Sequence, residues 1–460
     1  MARGKKAEQA LTPEEKLEQA LVPAEEQPYV VPGNWCWTDI GSINQYTGLS
    51  IDPMKRPDTI FELYSVPSSA FDYPEIITGS EIGSAKQSVI KNDVLLCKIN
   101  PRINRVWKVV QYTDNELMAS SEWIVVRNVI INPDYLMFCF KTQYFREFML
   151  SNVSGVGGSL MRAQPKFVKN YPIPIAPIAE QQRIVDRIDH LFAKLDAAKK
   201  KAQVVLDGFE LRKSVILHKA FTGELTEKWR QIHNVRFDNW ETKRINEITK
   251  PRAGYAFDSK KFTNSGYQII RMGNMYGGEL DLTRNPVFIS KEDVDETMLN
   301  KAIVNDGDIL ITLTGTKYKR DYGYAVCVFN TENLLVNQRI LCLTPSQNVI
   351  RNYILYYLRS NIFRDIFFSN ETGGVNQGNV SSKFVENIGI KVPSLIEQHE
   401  IVAILDRLLD KEQQAKEAAE SVLTQIDTMK KSILSRAFRG ELGTNDPTEE
   451  SALELLKTIL

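Results

Sequence analysis

Cysteine is scarce and never paired. Cys36, Cys97, Cys139, Cys327 and Cys342 stand far apart, with no Cys-x-x-Cys spacing from which a structural zinc site is built. An odd, scattered set predicts reduced thiols in a cytoplasmic protein. The four histidines, His190, His218, His233 and His399, make no metal-ligand spacing, so solvated or partner-facing rings are expected. No apolar run is long enough for a signal peptide or a membrane span, and no membrane association is expected. Phosphate-binding signatures are missing too. There is no GxxxxGK[ST] loop, and Gly155-Val156-Gly157-Gly158 lacks the third glycine of a dinucleotide fingerprint. The Asn/Asp-Pro-Pro-aromatic run with which amino-methyltransferases hold a target amine is absent. A catalytic centre is therefore not expected. Excess charge is lacking as well: 57 Lys and Arg balance 57 Asp and Glu. A freestanding DNA binder usually shows a basic excess, so a DNA-binding reading has to find its grip in local clusters or in partners.

What is present is one unit written twice, in a chain of 460 residues that has room for two or three domains. A single shift of 217 residues, without a gap, superimposes 180–225 on 397–442, with 20 of 46 positions identical. The match includes Glu180-Gln181 on Glu397-Gln398 and Ala220-Phe221 on Ala437-Phe438. The same shift lays Lys166-Phe167-Val168-Lys169-Asn170 on Lys383-Phe384-Val385-Glu386-Asn387. Further upstream the match needs small gaps: Tyr135 falls near Tyr353, Asn92-Asp93 near Gly307-Asp308, and Trp35 resembles Trp240. Each half is thus a globular domain followed by a helical segment. The helices are nearly copies, and the globular parts share little beyond a framework.

The helical segments carry start and stop signals. Pro172, Pro174 and Pro177 precede the first and Pro393 the second. Gly223 and Gly440 close them. Between these limits apolar residues recur at steps of four and three. One series is Ile184, Ile188, Leu191, Leu195, Ala198, Ala202, Val205, Phe209 and Ile216, broken at Arg212. The other is Ile401, Leu405, Leu408, Ala415, Ala419, Val422, Ile426, Met429 and Ile433, broken at Glu412. This heptad seam predicts a coiled coil on the order of 65 Å long; two unrelated helices packing on their own domains are the plainer alternative. Parallel and antiparallel pairing are both sterically open, and antiparallel pairing, which makes the chain pseudo-two-fold symmetric, is favoured. The breaks at Arg212 and Glu412 predict a locally splayed or partner-lined seam. Glu180 and Glu397 stand where capping and the helix dipole favour an acid.

The globular halves read as mixed α/β with many short strands. Residues 89–99 and 303–313 predict matching turn-then-strand units, and 134–148 and 352–367 predict matching aromatic-rich helices. Leu11, Leu17 and Leu21 near the start, and Leu453, Leu455, Leu456 and Ile459 at the end, predict terminal amphipathic helices that dock on the rod or on a partner. The expected layout is an N-terminal helical segment (1–28), a first globular domain (29–176), a central helix (177–233), a second globular domain (234–392), a second helix (393–443) and a C-terminal helix (444–460).

Basic and aromatic residues cluster locally on this neutral background. The run 98–108 holds Lys98, Asn100, Arg102, Asn104, Arg105 and Lys108 with Trp107 and no acid. Lys317-Tyr318-Lys319-Arg320 follows the matching strand of the second half. From Phe148 to Ala179 there is no acid, while Arg162, Gln164, Lys166 and Lys169 are present. Gln338, Arg339, Asn376 and Gln377 complete the candidate set, the last two in a loop with Gly373-Gly374 that mirrors Gly157-Gly158. Arg, Lys, Asn and Gln are the side chains that contact phosphates and base edges. A basic run alone is usually a solvated loop, and a glycine loop is often only a turn.

The layout resembles the specificity subunits of type I restriction–modification systems over essentially the whole chain. The resemblance is carried by the Glu-Gln-x-x-Ile-Val starts at 180–185 and 397–402, by the Ala-Phe-x-Gly-Glu-Leu ends at 220–225 and 437–442, by Leu225-Thr-Glu-Lys-Trp-Arg230 and by the opening 21–29. It implies an α+β chain with two target-recognition domains joined by two helices in an antiparallel coiled coil. Each domain is then expected to read one half of an asymmetric, split double-stranded DNA site. It further implies a non-catalytic subunit that docks two adenine-N6 methyltransferase subunits and, through them, ATP-driven restriction subunits. S-adenosylmethionine, ATP and Mg are expected on those partners and no cofactor on this chain. Glu180, Gln181, Phe221, Glu397, Gln398 and Phe438 are the expected partner contacts. The alternatives are a specificity-like subunit of another phage-defence methylation complex, or a protein-interaction scaffold with two heads on a coiled-coil spacer.

Overall fold

The computed structural model describes residues 12–151, 153–154, 161–329, 332–374 and 376–460. Leu11 and the glycines of 155–158 lie outside them. The chain divides into two compact units, Met1–Ala202 with Ser421–Leu460, and Gln203–Glu420. The division cuts through both long helices, so each unit keeps the helical segments that pack on its own core.

In the first unit a five-stranded mixed sheet runs in the order Ser50–Ile51, Lys86–Ser88, Glu116–Ala119, Ile60–Tyr64, Glu75–Thr78. A three-stranded antiparallel sheet places Val94–Cys97 between Val106–Lys108 and Trp123–Val126. All four residues of Val94–Cys97 are buried, which explains why this strand reads as an unbroken apolar run rather than an alternation. Against it pack the helices Pro133–Phe140 and Gln143–Ser151, whose Tyr135, Phe140 and Phe145 are fully enclosed. The second unit repeats this plan around Ile309–Thr312, held antiparallel between Ile340–Pro345 and Ala325–Cys327, with helices Arg351–Arg359 and Asn361–Ser369 behind it. A second four-stranded sheet, Phe262–Thr263, Phe288–Ile289, Tyr267–Ile270, Leu334–Val336, has its own core.

The matched turn-then-strand units are present in both. Asn92 and Gly307 take the left-handed conformation (φ 76° and 86°). Their N–H groups donate to Val109 and Val328 carbonyls at 2.9 and 2.8 Å. The aspartate that comes next is buried in each case. Asp93 pairs with Arg127 at 2.7 Å, and Asp308 with Arg252 at 2.5 Å. The arginines come from different strands in the two units, so the acid belongs to the framework and its counter-ion does not.

The long helices span Ile178–Asp207, Phe209–Phe221 and Leu395–Ala437, with Gly208 interrupting the first run. Inside the first unit Lys430 bonds Asp196 at 2.6 Å and stands 4.9 Å from the Phe192 ring centre. Inside the second, Arg212 meets Glu412 at 2.7 Å and Lys416 stands 4.9 Å from the Phe209 ring. Partner numbers fall as residue numbers rise, from 209 with 416 to 212 with 412, so these segments run antiparallel within the second unit. The seam is closed there by an ion pair, in place of the expected splaying.

The helices stop where the glycines predict. Gly223 (φ 84°) and Gly440 (φ 71°) are left-handed, and a Cβ on them would lie 2.2 Å from Phe237 Cε2 and 2.4 Å from Pro32 Cγ. Both space and backbone therefore demand glycine. The terminal helices Pro13–Ala20 and Ala452–Ile459 pack together in the first unit. Lys16 Nζ donates to the Leu460 carbonyl at 3.2 Å, and Ala20, Ala452 and Leu456 are buried in the same core. Among the described residues no helix is long and apolar enough to cross a membrane.

Candidate nucleic-acid interface

The repeated Glu-Gln pairs lock each globular domain to its helix. Glu180 accepts the Trp35 indole N–H at 2.7 Å, and Glu397 accepts that of Trp240 at 2.9 Å. Gln181 accepts from the Asn132 N–H and donates to the Ala176 carbonyl, both at 2.9 Å. Gln398 does the same with Ile350 N–H (2.9 Å) and the Pro393 carbonyl (2.8 Å). Tyr135 and Tyr353 donate their hydroxyls to the Pro174 and Lys391 carbonyls, each at 2.7 Å. The acids differ in their remaining partners. Asn445 and Thr444 reach Glu180, whereas Arg230 (2.8 Å) and Thr226 reach Glu397.

These side chains, the expected partner contacts, face the interior of their own units. Glu180, Gln181, Glu397 and Gln398 are essentially inaccessible, and Phe221 and Phe438 are buried against Tyr353 and Tyr135. A buried carboxylate needs hydrogen bonds inside its own unit; both have them, and Glu397 has an ion pair with Arg230 as well. Their near-identity in the two halves reflects one docking joint used twice.

The expected basic run of the first unit is folded into a tight corner instead of a strip. Asn100 and Asn104 are left-handed (φ 46° and 50°) around the turn Pro101–Ile103, and the Asn104 amide donates to the Phe140 carbonyl at 3.0 Å. Lys108 pairs with Asp134 at 2.5 Å. Lys98 is half-buried, and Arg102 is exposed at the tip. Arg105 and Asn104 line a cleft of about 460 Å³ together with Lys141, Arg146 and Lys431. Arg162 is exposed and held by Glu122 at 3.0 Å. Gln164 caps the short helix Pro165–Val168 through its carbonyl.

In the second unit the candidates converge. A cleft of about 650 Å³ is lined by Met272, Tyr276, Thr314, Tyr324, Arg339, Asn376 and Gln377, among others. A neighbouring cleft of about 460 Å³ shares Met272, Gly273 and Arg339, and adds Arg271, Arg284 and Gln338. Arg339 thus stands on the divide between them. Lys317 reaches the Gly373 carbonyl at 3.0 Å, drawing the basic run onto the glycine loop. Tyr318 is 80% exposed with Lys317 Nζ 5.1 Å from its ring centre, and Lys319 is exposed. Arg320 is engaged by Asp365 at 2.8 Å.

Arg271, Arg284 and Tyr276 belong to this face and were not expected. Arg284 lies 5.7 Å from the Tyr276 ring centre, and Arg271 donates to the Asn285 carbonyl. They stand singly in the sequence, with no local basic run to mark them, and only folding gathers them. The chemistry of the face is that of donors and flat rings: guanidinium and amide groups with exposed tyrosines. The carboxylates beside it are engaged, Asp321 by the Thr316 N–H at 2.8 Å and Glu371 by the Tyr322 hydroxyl at 2.7 Å. Such a surface suits phosphates and base edges. Among the described residues no group of His, Cys, Asp and Glu is arranged to hold a metal ion.

A family model described as the type I restriction modification DNA specificity domain matches residues 55–206 and 238–422. The specificity subunit of the type I restriction enzyme EcoKI of Escherichia coli (strain K12) is 25% identical over 325 residues, covering 68% of each chain. That of EcoAI, also from Escherichia coli, is 22% identical over 472 residues, covering 84% of this chain and 79% of that protein. The crystal structure of the HsdS subunit from Thermoanaerobacter tengcongensis shares the fold, with a TM-score of 0.67 at 21% identity over 91% of this chain and 100% of that one.

Proposed function

This chain belongs to the type I restriction modification DNA specificity family, and from that membership we propose how it reads DNA. It is a DNA-recognition component of a multi-subunit restriction–modification enzyme and is itself non-catalytic. In the proposed reading the two units recognise the two halves of an asymmetric, bipartite site in double-stranded DNA. The long helices pair antiparallel as a coiled coil that relates the units by a pseudo-two-fold axis and fixes the spacing and phase of the half-sites, about one helical turn apart. Two adenine-N6 methyltransferase subunits dock on the complex, bringing S-adenosylmethionine. Restriction subunits join through them, bringing ATP and Mg, and the assembly works in the cytoplasm. Net neutrality is then tolerable, because partners supply much of the phosphate contact that dominates affinity. Base extrusion for methylation falls to the methyltransferase.

The single observation that carries this reading is the twice-used joint of Trp35 with Glu180 and Trp240 with Glu397. One framework holds two faces with different side chains, as two different half-sites require. The test is adenine methylation mapped genome-wide by long-read sequencing, in cells with and without this chain beside its methyltransferase. A two-part motif with a fixed unspecified gap, seen only when the chain is present, is the expected result. Co-purification of the two subunits without any such motif would hand the lead to a protein-interaction scaffold.

A further inference from the structure

One backbone position is common to the two recognition faces yet carries opposite chemistry in each. In the first unit Lys98 N–H donates to the Glu122 carbonyl at 2.9 Å, and Ala163 N–H donates to the Lys98 carbonyl at 2.9 Å. In the second, Leu313 N–H donates to the Arg339 carbonyl at 2.9 Å, and Val380 N–H donates to the Leu313 carbonyl at 2.9 Å. The bridges agree, Ile99 opposing Arg162 and Thr314 opposing Asn379. Glu122 and Arg339 are therefore the same site, each immediately before the strand that pairs with the central one, Cys97 facing Trp123 and Thr312 facing Ile340. Arg162 and Asn379 are likewise the same site, and the 217-residue shift relates them directly.

The arginine has changed strands. The first unit holds Glu122 with Arg162, the carboxylate gripping the guanidinium at 3.0 Å. The second holds Arg339 with Asn379. Arg339 is exposed, and among the described residues no hydrogen bond, ion pair or ring contact holds its guanidinium. Its neighbours differ in this respect: Arg320 is tied to Asp365 and Arg364 to the Tyr322 and Gly323 carbonyls. A framework shared down to its backbone hydrogen bonds, with the donor moved from one strand to the next, is how two copies of one fold come to read different sequences.

We infer that Arg339 in the second unit and Arg162, oriented by Glu122, in the first are specificity-determining residues, each reading a guanine in its own half-site. The bidentate guanidinium contact to guanine O6 and N7 is the chemistry that fits the free, forked donor of Arg339, and Arg162, bonded to Glu122 through one nitrogen, keeps its other N–H groups for the same contact. The inference depends on the DNA-reading function proposed above.

The test uses the complete complex of this chain with its methyltransferase, and the methylation motif as readout. Arg339→Ala is expected to relax one guanine of a single half-site by about tenfold to a hundredfold, leaving the other half and the gap intact. Arg162→Ala is expected to relax the opposite half. Arg339→Lys keeps the charge without the fork and is expected to give an intermediate loss, and thermal melting of each variant checks that it folds. The double exchange Arg339→Glu with Asn379→Arg, which gives the second unit the pair of the first, is expected to change the preferred base at that position. A wild-type motif that survives Arg339→Ala unchanged overturns the inference. So does a uniform weakening on all sequences with the salt slope reduced by about one, the mark of a phosphate contact. Absence of any motif with the wild-type chain would instead overturn the DNA-reading function itself.

Discussion

Arg212 and Glu412, the two charged residues that interrupt the apolar seams, face each other across the helices of the second unit, with Arg212 Nε donating to Glu412 Oε2 at 2.7 Å. Arg212 also donates to the Val205 carbonyl at 2.9 Å. The 217-residue shift carries Arg212 onto Met429 and Glu412 onto Leu195. One copy of the seam thus closes with an ion pair where the other has two apolar residues.

With Arg212 38% exposed, solvent screens this pair and its contribution is below about 1 kcal/mol. Replacing both residues by those of the other copy, Arg212→Met with Glu412→Leu, is expected to leave stability unchanged or raised by up to about 1 kcal/mol. Each single substitution is expected to lose about 1 kcal/mol. Urea midpoints in a double-mutant cycle measure the coupling. A double variant worse than either single would mean that the pair does more than close the seam.

The joints predict an ordering. Glu397 is enclosed with Arg230, whose guanidinium has little access to water, so Glu397→Ala leaves an uncompensated buried cation and is expected to cost about 3–5 kcal/mol. Among the described residues the donors to Glu180 are neutral, Trp35, Thr444 and Asn445, and Arg183 acts on it only through space. Glu180→Ala is expected to cost about 1–3 kcal/mol, the penalty of unsatisfied buried donors. Denaturant unfolding followed by hydrogen exchange assigns each loss to its own unit. Equal losses would show that Arg230 finds another partner.

Much of this architecture was legible because repeats and periodicity report burial directly. The duplicated Glu-Gln motifs marked both helix starts, and Gly223 and Gly440 in the Gly-Glu-Leu motifs marked both helix ends. The role of the acids was not legible. A glutamate at a helix start reads as a cap, and only the fold brings Trp35, 145 residues away, onto Glu180. The pairing of Arg212 with Glu412 was hidden for the same reason, since each appeared as a defect in its own helix. Of the candidate face, the run 317–320 and Arg339 could be picked out in the sequence, whereas Arg271 and Arg284 arrive singly from separate loops with nothing local to mark them. The run 98–108 does not reveal that Lys108 pairs with Asp134, 26 residues on.

The thiols give a pH prediction. Burial pushes the Cys36 thiol up to about 12, and burial with Asp308 nearby does the same to Cys342. The thiolate is the nucleophile. At pH 8 about one in ten thousand of these groups is ionised, against about a quarter of ordinary thiols near 8.5. Iodoacetamide is expected to label both residues only as the chain unfolds, at a rate that climbs steeply with denaturant, as mass spectrometry of each peptide would record. Rapid labelling at pH 8 without denaturant would contradict the enclosed positions.

The helices predict a geometric effect on the DNA target. Four residues inserted in 406–432 lengthen that helix by about 6 Å and rotate its C-terminal part by about 40°. If the helices set the separation of the two readers, the insertion changes the unspecified gap of the methylation motif, or stops assembly, while leaving both half-site sequences as they were. Exchanging 30–170 for the same region of a relative should do the reverse, changing one half-site and sparing the gap. The two outcomes separate if, as proposed, base contacts belong to the faces and spacing to the helices. An insertion that alters the bases read, or an exchange that alters both halves, would mean that recognition and spacing are coupled through the joints at Glu180 and Glu397.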